Sequence, residues 1–173
     1  MAVNTPRARG PAVVTLAAVL LLASFVCACR RDGGGREGIS ISTSLPLASY
    51  VKAGAGKGAK FFFPQLEIYD ESGDLLYSSH ESIENARVLK ELPGGIQSLR
   101  SKPDAPRLAE VMDAVPAFRA RKEEILGQHR VSVLSVFLEN CHACTVQEDA
   151  LGGSEHRLLN HGINLLVLRV SRP

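Results

Sequence analysis

The sequence has no tryptophan, and aromatic residues of any kind make up only 5% of its 173 positions. It also lacks the compositional extremes that mark unusual protein classes. There is no charge excess typical of a disordered polyelectrolyte, no glycine repeat typical of a collagen, and too little apolar sequence for a polytopic membrane protein. Hydrophobic residues form 45% of the chain and charged residues 22%, which favours one globular domain of ordinary size.

Net charge is nearly absent as well. The formal net charge is +2, and the first 28 residues contain Arg7, Arg9 and no acid. Without that segment, basic and acidic residues are equal in number at 18 each. Because phosphate binding needs clustered positive charge, the neutral remainder gives no electrostatic reason to expect nucleic acid as a partner.

Two common enzyme motifs are missing. The chain has no G-x-S-x-G sequence, the strand-to-helix turn that presents a nucleophilic serine in many hydrolases. The glycine-rich segment 53–60 lacks the Gly-Lys-Ser/Thr ending of a phosphate-binding loop, since Lys57 is followed by Gly58. These absences leave serine hydrolysis and P-loop nucleotide binding without support.

The amino terminus is apolar and uncharged beyond Arg9. The segment Pro11 to Val26 follows a basic start and is too short for a comfortable membrane-spanning helix of about 20 residues. It is typical of a secretory signal. The residues that follow, Cys27, Ala28 and Cys29, resemble the bacterial lipobox, in which an aliphatic residue and a small residue precede the lipidated cysteine. We therefore predict a lipoprotein signal peptide at 1–28 and lipidation of Cys29.

Lipidation would hold the mature protein to a bilayer outside the cytoplasm. In bacterial lipoprotein sorting, an aspartate after the lipidated cysteine favours the inner membrane, and this chain has Arg30 there. The expected location is the bacterial cell envelope, with the protein facing the periplasm and the outer membrane slightly favoured. An uncleaved anchor helix from Gly10 to Cys29 is the alternative, since that run approaches the length that spans a bilayer.

Glycine-rich sequence follows the predicted lipid site. Three consecutive glycines lie among charges between Arg30 and Gly38, and segment 53–60 is again rich in glycine. Such stretches bury too little apolar surface to order themselves. We expect a flexible tether at 29–60 and one folded domain at 61–173.

Hydrophobic patterning predicts alternating strands and helices in that domain. Two β-rich runs on either side of turn residues 70–74 predict a hairpin, and helical spacing predicts a short helix from Ile83 to Leu92 and another face at 108–126. Nearly continuous apolar runs at 131–138 and 163–170 predict buried strands. Strands separated by helices predict an α/β sandwich, with a mixed central sheet and helices on both faces.

A Cys-x-x-Cys motif directly follows the first buried strand. Cys141 lies where a helix is expected to begin, so unpaired backbone N–H groups and the positive end of the helix dipole favour its thiolate. Cys144, one turn into the helix, can attack a mixed disulfide formed on Cys141. His142, when protonated, adds positive charge beside the thiolate and predicts a relatively oxidising pair.

The cysteine count supports a reactive pair. Of the 4 cysteines, Cys27 would leave with the signal and Cys29 would carry lipid, so Cys141 and Cys144 are each other's only intramolecular partners. A disulfide that closes so short a loop contributes about 2 kcal/mol on the chain-entropy model and joins nothing distant. Stabilisation is therefore a poor reason for its presence.

The segment from Val131 to Leu151 contains an apolar strand, the Cys-x-x-Cys motif and a helix, and it resembles the active-site segment of the thioredoxin superfamily. It is also similar to that of periplasmic disulfide oxidoreductases, some of which have a histidine between the cysteines. The resemblance implies a thioredoxin-like three-layer sandwich and exchange with protein thiols or disulfides and a redox partner protein, with no cofactor or metal. It also implies that Cys141 attacks and Cys144 resolves. Asn140 departs from the pattern, since many members have an aromatic residue there.

The order of elements also departs from the family. A thioredoxin domain normally continues after the active-site segment with a cis-proline strand, a hairpin partner and a last helix, whereas only 29 residues follow Cys144. The hairpin and helix predicted between Phe63 and Leu92 look like that missing module, placed before the cysteines. Two explanations are open. The domain is permuted, with Pro64 as the counterpart of the cis-proline near Cys141, or the segment is the amino-terminal hairpin of membrane-tethered thioredoxin-like reductases on a truncated domain.

Two other functions use the same residues. Cys141, Cys144, His156 and His161 have the spacing C-x2-C-x11-H-x4-H, which is one residue short of a familiar zinc-finger pattern. Against metal binding, Gly152-Gly153 is expected to interrupt the connecting helix, and secreted proteins seldom depend on thiolate zinc sites. The remaining alternative is a non-catalytic envelope lipoprotein with a thioredoxin-like fold and an incidental disulfide.

Overall fold

The protein is described by a computed structural model that covers residues 37–54, 61–95, 99, 102 and 105–172. The predicted signal peptide at 1–28 and Cys29 lie outside these residues. Within them, no helix combines the length and apolar character needed to cross a membrane.

Strands and helices alternate along the chain. The strands are β1 (Ser40–Pro46), β2 (Gln65–Tyr69), β3 (Leu75–Ser79), β4 (Ser132–Leu138) and β5 (Asn164–Ser171). The helices are α1 (Leu47–Gly54), α2 (Ser82–Glu91), α3 (Leu108–Ala114), α4 (Pro116–Arg119), α5 (Lys122–Leu126) and α6 (Thr145–Asn160). Short 3-10 turns follow α2 at Leu92–Gly94 and precede α6 at His142–Cys144.

The strands form one mixed sheet in the order β1-β5-β4-β2-β3. Strand β4 is parallel to β5 and antiparallel to β2. Strand β1 extends the parallel side beyond β5, and β3 completes the hairpin with β2. This confirms the predicted α/β class with a mixed sheet, and the fold is compatible with a thioredoxin-like sandwich.

The sheet is covered on both faces, and β4 supplies core residues to each. Val133 and Phe137 pack into a core formed with α2 and α6. Leu134 and Val136 belong to a second core, formed with α1 and α3 to α5. A central strand that is buried on both faces needs apolar residues at nearly every position, which explains the uninterrupted apolar run.

The predicted tether at 29–60 contains regular structure. Strand β1 pairs with β5 over its whole length, and α1 follows it directly. Side chains of β1 alternate between exposed and half-buried positions, with Ile41 and Leu45 packed against the second core. The serines occupy exposed positions, and the half-buried face of this edge strand includes Thr43 beside Ile41 and Leu45. The apolar signal in the sequence is therefore weak. The folded domain therefore begins well before residue 61, which corrects the predicted boundary.

The β2–β3 hairpin and α2 precede β4 in the chain but lie beside it in the fold. The register pairs Gln65 with Val136, so the beginning of β2 lies next to the end of β4. Pro64, directly before β2, is buried, and its peptide bond with Phe63 is cis. Strand order and register are compatible with the permuted arrangement considered from the sequence.

Candidate functional site

The cysteines lie at the edge of the sheet where β4 ends. The chain leaves β4 through Glu139, whose N–H donates a 2.9 Å hydrogen bond to the carbonyl of Val170 on β5. Asn140 then adopts a left-handed conformation with φ of 57°. Asparagine is one of the few residues other than glycine that visits this region routinely, which gives a local reason for Asn140 where the resemblance leads one to expect an aromatic residue.

Cys141 and Cys144 form a disulfide, with Cα atoms 5.3 Å apart. The 3-10 turn between them is closed by a 3.0 Å hydrogen bond from the Cys144 N–H to the Cys141 carbonyl. Helix α6 begins at Thr145. Cys144 therefore lies at the junction of the turn and the helix rather than one turn into the helix, which corrects that detail of the sequence prediction.

The two sulfurs differ in access. Cys144 is only 1% exposed and belongs to the core between α6 and the sheet. Cys141 is half-buried at the surface end of the turn. An incoming thiolate can reach only Cys141 without opening the core.

A shallow depression of about 500 Å³ surrounds the exposed side of Cys141. It is lined by the turn 138–142, including the exposed side chain of His142, and by Thr145, Glu148 and Arg169. Arg169 forms an ion pair with Glu148, and its guanidinium lies 5.7 Å from the centre of the Phe137 ring. Arg169 was not among the predicted site residues, although it is a lone charged residue within the apolar run 163–170.

A buried polar network lies behind the cysteines. Gln147, in the first turn of α6, is fully buried. Its Nε2 atom donates to the Ser135 hydroxyl at 2.8 Å and to the Gln65 carbonyl at 3.1 Å. Its Oε1 atom accepts a 2.6 Å hydrogen bond from Asn85 of α2, which in turn accepts one from the Tyr77 hydroxyl at 2.9 Å. The network joins α6, α2 and the sheet. No motif in the sequence indicated it.

Four of the predicted site residues lie at one edge of the sheet. Cys141, Cys144 and His142 lie together in one turn. Pro64 lies at the same edge of the sheet, because β2 begins where β4 ends, and its neighbour Phe63 packs against the core cluster that Cys141 also contacts. The predicted lipidation site, Cys29, remains a prediction outside the described residues.

The geometry does not assemble the alternative zinc site. Helix α6 runs unbroken through Gly152 and Gly153, so the expected interruption was wrong. Each glycine costs only about 1 kcal/mol of helix propensity. Packing of the buried face of α6 outweighs that cost. At about 1.5 Å per residue, His156 lies roughly 18 Å along the helix from Cys144. Among the described residues, no group of three or more histidine, cysteine or acidic side chains is arranged to hold a metal.

Comparison of the chain with protein-family models, with curated proteins and with solved structures finds no match. We therefore infer function from the local geometry of the cysteine turn and from the chemistry that such a pair can perform. Three features of the turn are decisive: a disulfide, one accessible sulfur, and a helix that begins directly after the second cysteine.

Proposed function

We propose that the chain is a membrane-tethered periplasmic thiol–disulfide oxidoreductase with a thioredoxin-like domain. The observation that carries the proposal is the disulfide between half-buried Cys141 and fully buried Cys144 at the beginning of α6. A bond that closes so short a loop contributes little to stability. An accessible sulfur at the edge of a rigid sheet suits exchange with a second protein.

In the disulfide form, a cysteine thiolate of a client protein attacks the Sγ atom of Cys141. A bond forms between the client and Cys141, the bond to Cys144 breaks, and its electron pair leaves on the Cys144 sulfur, which takes up a proton. A second client thiolate then attacks the client sulfur of the mixed disulfide. The client leaves with a disulfide, and Cys141 and Cys144 keep the two electrons as thiols.

The opposite direction uses the same steps in reverse. The Cys141 thiolate attacks a client disulfide, and Cys144 then attacks Cys141 to release the reduced client. A redox partner protein must restore the starting state in either case, because each turnover moves two electrons. No cofactor or metal takes part.

Local electrostatics support Cys141 as the attacking group. The first N–H groups of α6 and the positive end of its dipole follow the turn, and both stabilise a nearby thiolate. His142, when protonated, and Arg169 supply positive charge in the same depression. Exposed Glu139 and half-buried Glu148 oppose it, and Glu148 is neutralised in part by its ion pair with Arg169.

The exchange reaction is tested with the full-length protein and a model peptide disulfide. We expect the reduced wild type to turn the peptide over and Cys144→Ser to stop at a mixed disulfide with Cys141. The matched variant Cys141→Ser should form no such adduct. The thiol pKa of Cys141 in the reduced protein should lie below the ordinary value of about 8.5.

A thiol pKa near 8.5 with no turnover of the model disulfide would overturn the enzyme proposal. The non-catalytic alternative, an envelope lipoprotein with an incidental disulfide, would then be preferred. Mixed-disulfide formation on Cys144 with Cys141→Ser would instead overturn the assignment of roles.

The membrane tether is tested separately. We propose that lipid on Cys29 anchors the protein in the envelope, supported by the basic start, the apolar run and the small residue Ala28 before that cysteine. Cys29→Ala should leave the protein without lipid, either released into the soluble fraction or with its signal peptide uncleaved. Cys27→Ala should have no effect. Lipid that persists in Cys29→Ala would contradict the assignment.

A further inference from the structure

A second cavity, of about 430 Å³, lies on the face of the sheet opposite the cysteine core. Its floor is formed by β2, β4 and β5, and its walls by α1, α3 and α4. The volume lies within the range of about 300–1,000 Å³ that is typical of small-molecule sites. The thiol exchange proposed above makes no use of this cavity.

Most of the cavity surface is apolar. Leu134 and Val136 of β4 and Phe118 of α4 form much of it, and all three side chains are almost completely buried. The rings of Tyr50 and Phe61 meet edge to face at the rim, with centroids 5.3 Å apart. Such a surface accepts the hydrocarbon body of a small ligand, and the aromatic rim is a surface on which a cation can rest.

A carboxylate lies on this apolar floor. Glu67 accepts a 2.7 Å hydrogen bond from the Gln65 amide on one oxygen and one from the Tyr69 hydroxyl on the other. The Tyr50 hydroxyl completes the chain by donating to Gln65 Oε1 at 3.3 Å. An ionised carboxylate offers about four acceptor positions, so Glu67 keeps acceptor capacity for a further donor.

The charge of the cavity is negative. Glu110 of α3 also lines it, and none of the described lining residues is basic. The pKa of Glu67 is raised, because burial outweighs the effects that lower it. Those effects are the hydrogen bonds from Tyr69 and Gln65 and the charge of Lys102. Burial, with the charge of Glu67, raises the pKa of Tyr50 to about 12, so its hydroxyl stays protonated at neutral pH. A buried carboxylate of this kind gains from a positive partner.

We propose that this cavity binds a small organic cation, with a protonated amine against Glu67 and an apolar body against Phe118 and the floor of β4. The amine supplies further donors to Glu67 and a positive charge that none of the described lining residues supplies. The apolar walls exclude water from the rest of the ligand. The site is independent of the cysteines and does not require that the chain be an oxidoreductase.

The proposal is tested by titrating the full-length protein with 2-phenylethylamine, 2-phenylethanol and phenylacetate, followed by NMR chemical shifts and calorimetry. These probes share an aromatic body and differ in charge. We expect saturable binding of the amine, binding of the alcohol weaker by roughly tenfold or more, and no binding of the acid. Equal affinity for amine and alcohol, or no binding of the amine, would overturn the proposal.

Variants locate the site. Glu67→Gln keeps the size of the side chain and should weaken amine binding by roughly tenfold or more, whereas Glu71→Gln, in the exposed turn of the hairpin, should not. Ala114→Phe fills the cavity without changing Glu67 and should abolish binding even if Glu67→Gln fails to fold. Amine binding that survives Ala114→Phe places the ligand elsewhere and refutes the assignment.

Discussion

The Nδ2 atom of Asn85 donates a 2.6 Å hydrogen bond to the Oε1 atom of Gln147, and both side chains are fully buried. The Nε2 atom of Gln147 donates hydrogen bonds to the Ser135 hydroxyl and to the Gln65 carbonyl. One amide therefore joins α2, α6 and the sheet directly behind the cysteine turn. If the amide is removed, its partners are left in the interior, where water cannot replace the lost hydrogen bonds.

We predict that Gln147→Leu lowers the free energy of unfolding by about 2–4 kcal/mol. The apolar side chain is similar in size, but it leaves Asn85 and the Gln65 carbonyl with unmet hydrogen bonds, each of which costs about 1–3 kcal/mol when buried. Urea unfolding followed by circular dichroism measures the change.

Asn160→Leu is the matched control, since it makes the same kind of replacement at the exposed last turn of α6. It should change stability by less than about 0.5 kcal/mol. Equal effects of the two substitutions on the free energy of unfolding would mean that the hydrogen bonds of the buried network do not stabilise the fold.

Gly38→Ala tests whether β1 is an integral part of the domain. A Cβ atom at Gly38 would collide with the carbonyl of Ile163, and the Gly38 N–H donates a 2.8 Å hydrogen bond to the Leu159 carbonyl. Relieving the collision would displace β1 from β5. We predict a loss of about 1–3 kcal/mol in the free energy of unfolding.

The same substitution at Gly152 is the control. Apart from the backbone of α6 itself, nothing lies within 4 Å of the position that a Cβ atom would take at Gly152. Gly152→Ala in the middle of α6 should therefore stabilise the protein by about 1 kcal/mol. If Gly38→Ala leaves stability unchanged, β1 is not held against β5 as the structure has it.

The parts of the fold that local sequence predicts are those whose pattern lies within one element. The hairpin at β2–β3 and the buried strand β4 are recognisable because their apolar residues and turn residues are contiguous. Strand β1 is not, since its half-apolar pattern becomes meaningful only when β5 pairs with it. The tether was therefore predicted too long.

The same distinction applies to the site. Cys141, His142 and Cys144 form a motif along the chain, so they could be found without the fold. Gln147 could not, because its partners come from other elements. Arg169 is visible as a lone charge in an apolar run, but its ion pair with Glu148 joins β5 to α6 and follows only from the fold. The cavity around Glu67 is likewise assembled from segments far apart in sequence, and no local pattern predicts it.

The contribution of Glu67 to stability should fall as the pH rises from acidic toward neutral. Burial raises the folded-state pKa of this carboxyl above its ordinary value of 4.5. Between 4.5 and the raised value, the folded state keeps a proton that the unfolded chain releases, so the free energy of unfolding falls as pH increases.

Glu67→Gln removes this titration. The difference in unfolding free energy between wild type and variant should therefore change with pH across the acidic range and level off above the raised pKa. Glu71→Gln, in the exposed turn, should run parallel to wild type. A constant difference for Glu67→Gln across the range would show that burial does not perturb Glu67.

His142→Ala should make the cysteine pair less oxidising. The imidazole, when protonated, stabilises the Cys141 thiolate of the reduced form, and a protein whose reduced form is stabilised has a higher reduction potential. Loss of this charge should lower the potential by about 20 mV, equivalent to roughly 1 kcal/mol. Equilibration of the full-length protein with glutathione buffers measures the potential. His156→Ala, on the exposed far side of α6, controls for general loss of a histidine and should leave the potential unchanged. If His142→Ala matches His156→Ala, the thiolate is stabilised by the N–H groups and dipole of α6 alone.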